Sequence, residues 1–229
     1  MTRIFGLLLA TVIAAVAAPA AAAGLADLTN ADAASGLKGG LAESASKAVS
    51  LLGAENGFYG NPKLRIPLPP SMQKVEGAMR MMGMKKQADE LVLSMNRAAE
   101  AAMPEAKALL EQSIKQMTVQ DAKGILTGGD TAATQYFKRT TEKQLTERFL
   151  PIVKKTTEKV GRAQQYNAIA GQGAALGLVK EDQATVERYV TQKALDGLYT
   201  TIGEQEKALR ANPVGASSDL VKKVFGAVK

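Results

Sequence analysis

Histidine, cysteine and tryptophan are absent from the 229 residues of this chain, and aromatic residues make up only 4% of it. Without histidine, the chain lacks the side chain that most often acts as a general base near neutral pH, and Ser–His and Cys–His nucleophile pairs are excluded. Without cysteine, it has no disulfide and no site for lipoprotein acylation, and a zinc site would depend on carboxylates. We therefore expect no metal and no cofactor. Alanine, leucine, valine and methionine must build the core, which favours closely packed helices.

The N-terminal segment 1–23 has the composition of a secretory signal peptide. Arg3 gives a short basic start, residues 4–18 are apolar, and small alanines follow as cleavage sites. We predict cleavage near Ala23, a mature helical domain over residues 24–229 and a periplasmic location. An uncleaved anchor is the alternative. No later apolar run reaches the ~20 residues of a membrane span, so we expect no span in the mature chain.

The charge is moderately basic, with 29 Lys and Arg against 22 Asp and Glu. Arg3 is the only charged residue of the leader, so a net charge of +7 for the whole chain becomes +6 for the mature chain. The excess is spread along the helices, which together with export argues against nucleic-acid binding. A solvated basic surface is the preferred interpretation, and weak contact with an anionic membrane surface is the alternative.

Helix start and stop signals predict an all-α, single-domain bundle of about eight or nine helices. Capping boxes begin helices at Thr29 and Thr118, and a further box is predicted at Thr141. Pro104 suits the first turn of a new helix, so the helix that starts at Met84 should end just before it. The other predicted boundaries or breaks are Gly53, Gly83, Gly128 with Gly129, Pro151, Gly161, Asp182, Asn212 with Pro213, and Ser217 or Ser218.

Residues 57–70 contain four prolines, which exclude a helix there. We predict an ordered, extended connector. Its apolar side chains, Phe58, Leu64, Ile66 and Leu68, should insert into the core.

Two further helices carry specific expectations. Gly36, Gly39 and Gly40 each weaken the first helix by roughly 1 kcal/mol relative to alanine, so this helix needs tertiary support. The C-terminal helix has an apolar stripe that includes Val221 and Phe225, next to several lysines. Docking on the core of its own domain is the preferred interpretation, and contact with a partner or a membrane surface is the alternative.

A first candidate site for a ligand or partner comprises Asn96, Arg97 and Glu100, which lie within about one helical turn. Side-chain pairing along the helix or an interhelical hydrogen-bond knot is the preferred interpretation. A second candidate face carries Tyr189, Lys193 and Asp196, with Gln192 adjacent. Lys193 could act as a catalytic amine if it were buried, but a solvated lysine paired with an acid is preferred.

The corner Gly124–Arg139 is the third candidate. Asp130 and Thr134 lie at a predicted helix start, where free N–H groups could bind water or an anion. Asp130 as the N-cap is the preferred interpretation, because aspartate favours that position and its carboxylate would already occupy an anion site. The corner lacks the spacing and the lysine of a phosphate-binding loop. It should bring Tyr136 to the core.

Five blocks occur in order along the chain: Asn61–Pro69, Asn96–Glu100, Ile125–Phe137, Tyr189–Leu198 and Asp219–Phe225. Together they resemble a family of exported bacterial proteins known only as domain of unknown function four-one-nine-seven. The resemblance covers essentially the whole mature chain. It implies a helical, exported protein, and it brings no assigned reaction, ligand or catalytic residue.

From these features we expect a non-catalytic binding or interaction protein of the cell envelope. Its partner would be an envelope protein or a small apolar or amphipathic ligand. A His-free hydrolase or lyase that uses carboxylate and lysine chemistry is one alternative. A peripheral membrane-surface protein is another.

Overall fold

The computed structural model describes residues 28–70, 72–73, 83, 85–158, 167 and 185–227. Within these ranges the chain forms six α-helices, one 3₁₀ turn and no strand. The helices are α1 Asn30–Gly53, α2 Lys85–Gln116, α3 Val119–Thr127, α4 Ala132–Glu158, α5 Val186–Ala211 and α6 Asp219–Gly226, with the 3₁₀ turn at Pro213–Gly215. The predicted all-helical class is confirmed, whereas the predicted count of eight or nine helices is too high.

Two predicted helix boundaries are wrong, and they explain part of the difference. Pro104 lies inside α2, and Thr141 lies inside α4. An interior proline removes one backbone hydrogen bond, but Met103 and Ala106 on either side of Pro104 are completely buried. Burial of this unbroken stripe holds α2 together. The hydroxyl of Thr141 donates to the carbonyl of Phe137 at 2.7 Å, so it bonds within the helix instead of capping it.

The sequence predicts that Pro151 kinks or divides its helix, and α4 is not divided there, because the helix continues to Glu158. The sequence also predicts helices over residues 72–82 and 164–178, and most of each segment lies outside the described residues. The predicted boundaries at Gly161 and Asp182 lie outside them as well.

The predicted caps at the first two boxes are confirmed. The hydroxyl of Thr29 accepts the N–H of Asp32 at 3.1 Å, and Thr118 forms a complete reciprocal box with Asp121. Two more caps fix the later helices: Thr185 accepts the N–H of Arg188, and Ser218 accepts the N–H of Val221. Each cap pairs one of the N–H groups that a helix start leaves free.

The glycines of α1 are explained by α6. A Cβ added at Gly36 would overlap the side chain of Val224, and one added at Gly40 would overlap the ring of Phe225. Both side chains of α6 are completely buried. The residues that weaken α1 therefore allow α6 to approach closely, which supplies the tertiary support that the sequence required. The preferred docking of α6 on its own domain is confirmed.

The core is one cluster shared by the helices. The contact between α2 and α4 is the most extensive, and α1 and α5 complete the packing around them. On α5, apolar residues recur every four positions, a pattern that predicts a core stripe. All five are completely buried: Val186, Val190, Ala194, Leu198 and Ile202. Among the described helices, none combines the length and the hydropathy that a membrane crossing requires.

The connector is defined here as residues 54–69, which follow α1 and contain no helix. Residues 55–60 and 62–64 form turns, so the predicted extended conformation is correct only for residues 65–69. Three of its predicted apolar side chains, Phe58, Ile66 and Leu68, are buried, and Leu64 is half-buried. Phe58 lies against Gly197 of α5, where any Cβ would overlap its ring. The connector therefore packs on α5 through Phe58, and it is hydrogen-bonded to Asn96 and Glu100 of α2.

Candidate functional site

Asn96 of α2 holds the extended part of the connector. Its side-chain oxygen accepts the N–H of Ile66 at 2.8 Å, and its amide nitrogen donates to the carbonyl of Ile66 at 2.9 Å. The same nitrogen donates to the carbonyl of Val92 at 2.8 Å. Asn96 is completely buried. Its amide thus replaces the strand partner that an isolated extended segment lacks, because buried backbone groups must be paired.

Glu100, one turn further along α2, holds the first part of the connector. One carboxylate oxygen accepts the N–H groups of Phe58 and Tyr59 at 3.0 and 3.1 Å. The other accepts Nη1 of Arg97 at 2.6 Å, and this hydrogen bond raises the pKa of Arg97. Arg97 also donates through Nη2 to Glu55, at 3.0 Å. The charge of a buried glutamate is therefore compensated by a cation and by two backbone donors.

The first candidate cluster is thus a hydrogen-bonded knot. The predicted pairing of Arg97 with Glu100 along the helix is confirmed, and the knot joins α2 to the connector and not to a second helix. Its polar atoms contact the backbone of the chain itself, and this contact positions the connector against α2.

The opposite side of the connector borders an open groove. We call it the connector groove; it has a volume of about 370 Å³ and lies between the connector and α5. Its walls are formed by Asn61, Lys63, Leu64, Arg65, Ile66, Pro67, Tyr189, Lys193, Asp196, Gly197, Thr200 and Glu204. Three of the predicted residues of the second candidate face, Tyr189, Lys193 and Asp196, therefore meet here.

The charged side chains of the groove are loosely paired. Lys193 and Asp196 lie 3.9 Å apart, with about half of each side chain exposed. Lys63 reaches Glu204 across the groove, also at 3.9 Å. Arg65 lies over the ring of Tyr59, 4.4 Å from its centroid, and has no carboxylate partner among the described residues. Three cations and two carboxylates therefore face this groove, and the pairs contribute little to stability because they are exposed.

The remaining residues of the second face support the groove. Tyr189 is buried and forms part of its wall. Gln192 donates to Asp196 at 3.1 Å and so fixes one oxygen of that carboxylate. Lys193 is half-exposed, which matches the solvated lysine that the sequence favoured and not the buried amine that a catalytic role needs.

Sequence reasoning did not select Lys63, Arg65 or Glu204. The signal for Arg65 was available in residues 65–68, where charged or proline positions alternate with apolar ones. In an extended segment this alternation sends every second side chain to the same side. Since Ile66 and Leu68 face the core, Arg65 lies on the open side. Lys63 lies in the turn at residues 62–64, and neither Lys63 nor Glu204 carries a comparable signal.

The corner between α3 and α4 is structural, and the prediction that Asp130 is its N-cap is wrong. The helix begins at Ala132, so Asp130 lies one residue too early. Its carboxylate instead faces Lys207 of α5 at 3.2 Å, with both side chains exposed. The hydroxyl of Thr131, in the cap position, accepts the side-chain amide of Gln135 at 3.3 Å.

The other two candidates of the corner point to different helices. Thr134 lies next to Gly203 of α5. Tyr136 is buried, as predicted, and donates to the carbonyl of Ser113 of α2 at 2.8 Å. Burial raises the pKa of Tyr136. Asp130, Thr134 and Tyr136 thus contact α5 or α2, and the structure does not bring them together as one site.

A buried ion pair near this corner was also missed. Glu206 is completely buried, and one of its oxygens accepts Nε and Nη2 of Arg210 at 2.9 and 2.6 Å. Arg210 donates in addition to the carbonyl of Ile125 at 3.0 Å and lies over the ring of Phe225. Burial raises the pKa of Glu206, and Arg210 opposes this shift. The pair connects α5 to the end of α3 and to α6.

The part of the chain that the structure describes contains no group of three or more acidic side chains arranged to hold a metal ion.

Comparison with known proteins places the chain by family alone. Neither the curated proteins nor the solved structures give a match. A family profile matches residues 27–226, which is nearly all of the predicted mature chain. The chain therefore belongs to the family described as Protein of unknown function (DUF4197).

Proposed function

We propose that this is an exported, non-catalytic binding protein of the cell envelope whose connector groove takes a small amphipathic anion. The observation that carries the proposal is the groove itself, a volume of about 370 Å³ between α5 and a connector held rigidly from behind by Asn96 and Glu100. Ligand sites commonly have volumes of about 300–1,000 Å³, and they are largely formed before the ligand arrives.

The charges of the groove support an anionic ligand. Lys63, Arg65 and Lys193 outnumber Asp196 and Glu204. Arg65 is oriented by the ring of Tyr59, so its guanidinium keeps its donors for an incoming carboxylate or phosphate. The lysines are exposed and weakly paired, so little is lost when they turn toward a ligand.

The apolar part of the wall supports an amphipathic ligand. Leu64 and Pro67 from the connector, with the buried Tyr189 from α5, give the groove surface that a short hydrocarbon group can cover. Pro67 has no N–H, and the N–H of Arg65 donates to the carbonyl of Asn61 at 2.8 Å. This edge of the connector therefore offers little to an added peptide strand, which needs backbone donors as well as acceptors.

The test uses three probes of one chain length: butyl phosphate, butanol and butylammonium. Amide chemical shifts of the mature protein are recorded by NMR during titration with each probe. We expect butyl phosphate to shift resonances of residues 61–67 and 189–204, with weaker effects from butanol and none from butylammonium. Equal effects from all three probes, or shifts spread over the whole surface, would contradict the proposal.

Charge reversal supplies the matched variants. Arg65→Glu in the groove should abolish the response to butyl phosphate. Lys143→Glu makes the same change of charge at an exposed position of α4 and should leave it intact. If both variants lost binding equally, the net charge of the protein would explain the result and the groove would not.

The location is tested separately. Mass spectrometry of the protein from a periplasmic extract should show a chain that begins near Gly24. Recovery of the full chain from the membrane fraction would contradict export with cleavage.

A further inference from the structure

A second hollow lies next to the connector groove. It has a volume of about 420 Å³ and shares Asn61, Leu64 and Glu204 with the groove, so the two are neighbours along the connector. Leu51 and Pro62 line the second hollow, and Leu51 is 55% exposed, which is unusual for a leucine in this chain.

The two hollows differ in the charge of their walls, whereas polar and apolar residues line both of them. Among the described residues, the cations Lys63, Arg65 and Lys193 line the connector groove, and none lines the second hollow. Glu204, at the shared wall, is the only charged side chain that these residues contribute to the second hollow. One end of the combined trough therefore suits an anionic head, and the other end suits a part of the ligand that carries no negative charge.

The ion pair on the shared wall is weak enough to separate. The ion pair between Lys63 and Glu204 crosses this wall at 3.9 Å, with 81% and 55% of the two side chains exposed. An exposed pair at this distance contributes little to stability. A hydrocarbon chain that passes along Leu64 can displace it without disturbing the buried core.

We infer that the two hollows together hold one elongated anionic amphiphile, with its head at Arg65 and Lys193 and its hydrocarbon tail over Leu64, Pro62 and Leu51. This inference rests on the proposed function of the connector groove. It adds the class of ligand, a single-chain molecule with a phosphate, sulfate or carboxylate head, bound as a monomer and not as part of a bilayer.

The experiment measures the affinity of the full mature chain for n-alkyl phosphates of two to ten carbons, at concentrations at which they form no micelles. Calorimetry gives the dissociation constants. Each methylene that enters the second hollow should tighten binding about fourfold, which corresponds to about 0.8 kcal/mol per buried CH₂. The gain should begin only at the chain length that passes Leu64.

Leu51→Asp is the informative variant, because this exposed side chain can change without loss of the fold. It should weaken binding of decyl phosphate at least tenfold and leave ethyl phosphate unchanged. Val214→Asp makes the same kind of change at a position that is 78% exposed and lines neither hollow, so it should change neither affinity.

The possible failures are distinguishable. Binding of ethyl phosphate without a gain from chain length overturns the inference and keeps the proposed function. No binding of any alkyl phosphate overturns both. A gain from chain length that Leu51→Asp does not reduce, that Val214→Asp reduces equally, or that alkylammonium ions show as well places the tail elsewhere and overturns the inference. So does binding to anionic phospholipid vesicles alone, which would indicate a membrane-surface contact instead.

Discussion

Asn96 and Lys193 lie on helices on either side of the same connector, and their surroundings differ completely. Asn96 is buried, and its amide is used in three hydrogen bonds to backbone groups. Lys193 is half-exposed, and its one ion pair is at the limit of contact. The first side chain fixes the connector against α2, and the second faces an open groove.

Two glycines differ in the same way, and so do two aspartates near helix starts: one of each pair is covered and the other is open. Gly40 is covered by Phe225, whereas Gly124 has no atom within 4 Å of an added Cβ. Asp121 bonds to Thr118 in a capping box, whereas Asp130 reaches only an exposed lysine. A residue type therefore does not reveal its role until its contacts are known. The contrast between covered and open positions can be tested by paired substitutions.

The largest effect is expected for Asn96→Ala. The substitution leaves the N–H and the carbonyl of Ile66 buried without a partner, and each such group costs about 1–3 kcal/mol. We expect a loss of about 3 kcal/mol or more in the free energy of unfolding, measured by chemical denaturation. Lys193→Ala is the open counterpart and should change stability by less than about 0.5 kcal/mol. Similar losses in the two variants would remove the distinction between the two sides of the connector.

Gly40→Ala should have the next largest effect. The added methyl group overlaps the ring of Phe225, and overpacking of this kind costs about 1–3 kcal/mol, which the better helix propensity of alanine offsets by roughly 1 kcal/mol. We expect a net loss of up to about 2 kcal/mol in thermal or chemical denaturation. Gly124→Ala, in the open position on α3, should instead gain about 1 kcal/mol. A gain in both variants would mean that α6 does not dock on α1 in solution.

The pH dependence of the stability of Asp121→Asn tests the capping box between Thr118 and Asp121. The hydroxyl and then the N–H of Thr118 donate to the carboxylate and hold the pKa of Asp121 below its ordinary value of 3.8. Because the folded pKa is the lower one, this stabilisation is complete above pH 3.8 and is lost as the pH falls through the folded value. Denaturant unfolding should show wild type about 1 kcal/mol more stable than the variant at neutral pH, with the gap closing on acidification. A gap that stays constant with pH would show that the carboxylate charge is not involved.

Much of the fold could be read from local signals. The caps at Thr29 and Thr118, the absence of a helix in the connector and the buried stripe of α5 all follow from side chains close in sequence. The continuation of α2 through Pro104 and of α4 through Thr141 could not be predicted in this way. Local signals favour a break at both positions, and burial of a continuous stripe on each helix outweighs them.

Only the α5 wall of the connector groove was predicted from the sequence. The α5 wall of the groove was selected because Tyr189, Lys193 and Asp196 share a helix face. The opposite wall depends on which side of the connector faces the core, and that is decided by Asn96 through contacts 30 residues away in sequence. No local pattern at Asn96 reveals that its amide pairs with Ile66.

The smallest effect is expected for Asp130→Ala. The sequence alone placed Asp130 at the start of a helix and predicted that its loss would cost about 1 kcal/mol, as for a typical cap. In the structure its carboxylate bonds to no helix N–H, and the exposed pair with Lys207 at 3.2 Å contributes only about 0–1 kcal/mol. We therefore expect thermal denaturation to show a change below about 0.5 kcal/mol, whereas Thr118→Ala, at a true cap, should lose about 1 kcal/mol. Equal losses in the two variants would mean that Asp130 caps α4 in solution and that the corner differs from the one described.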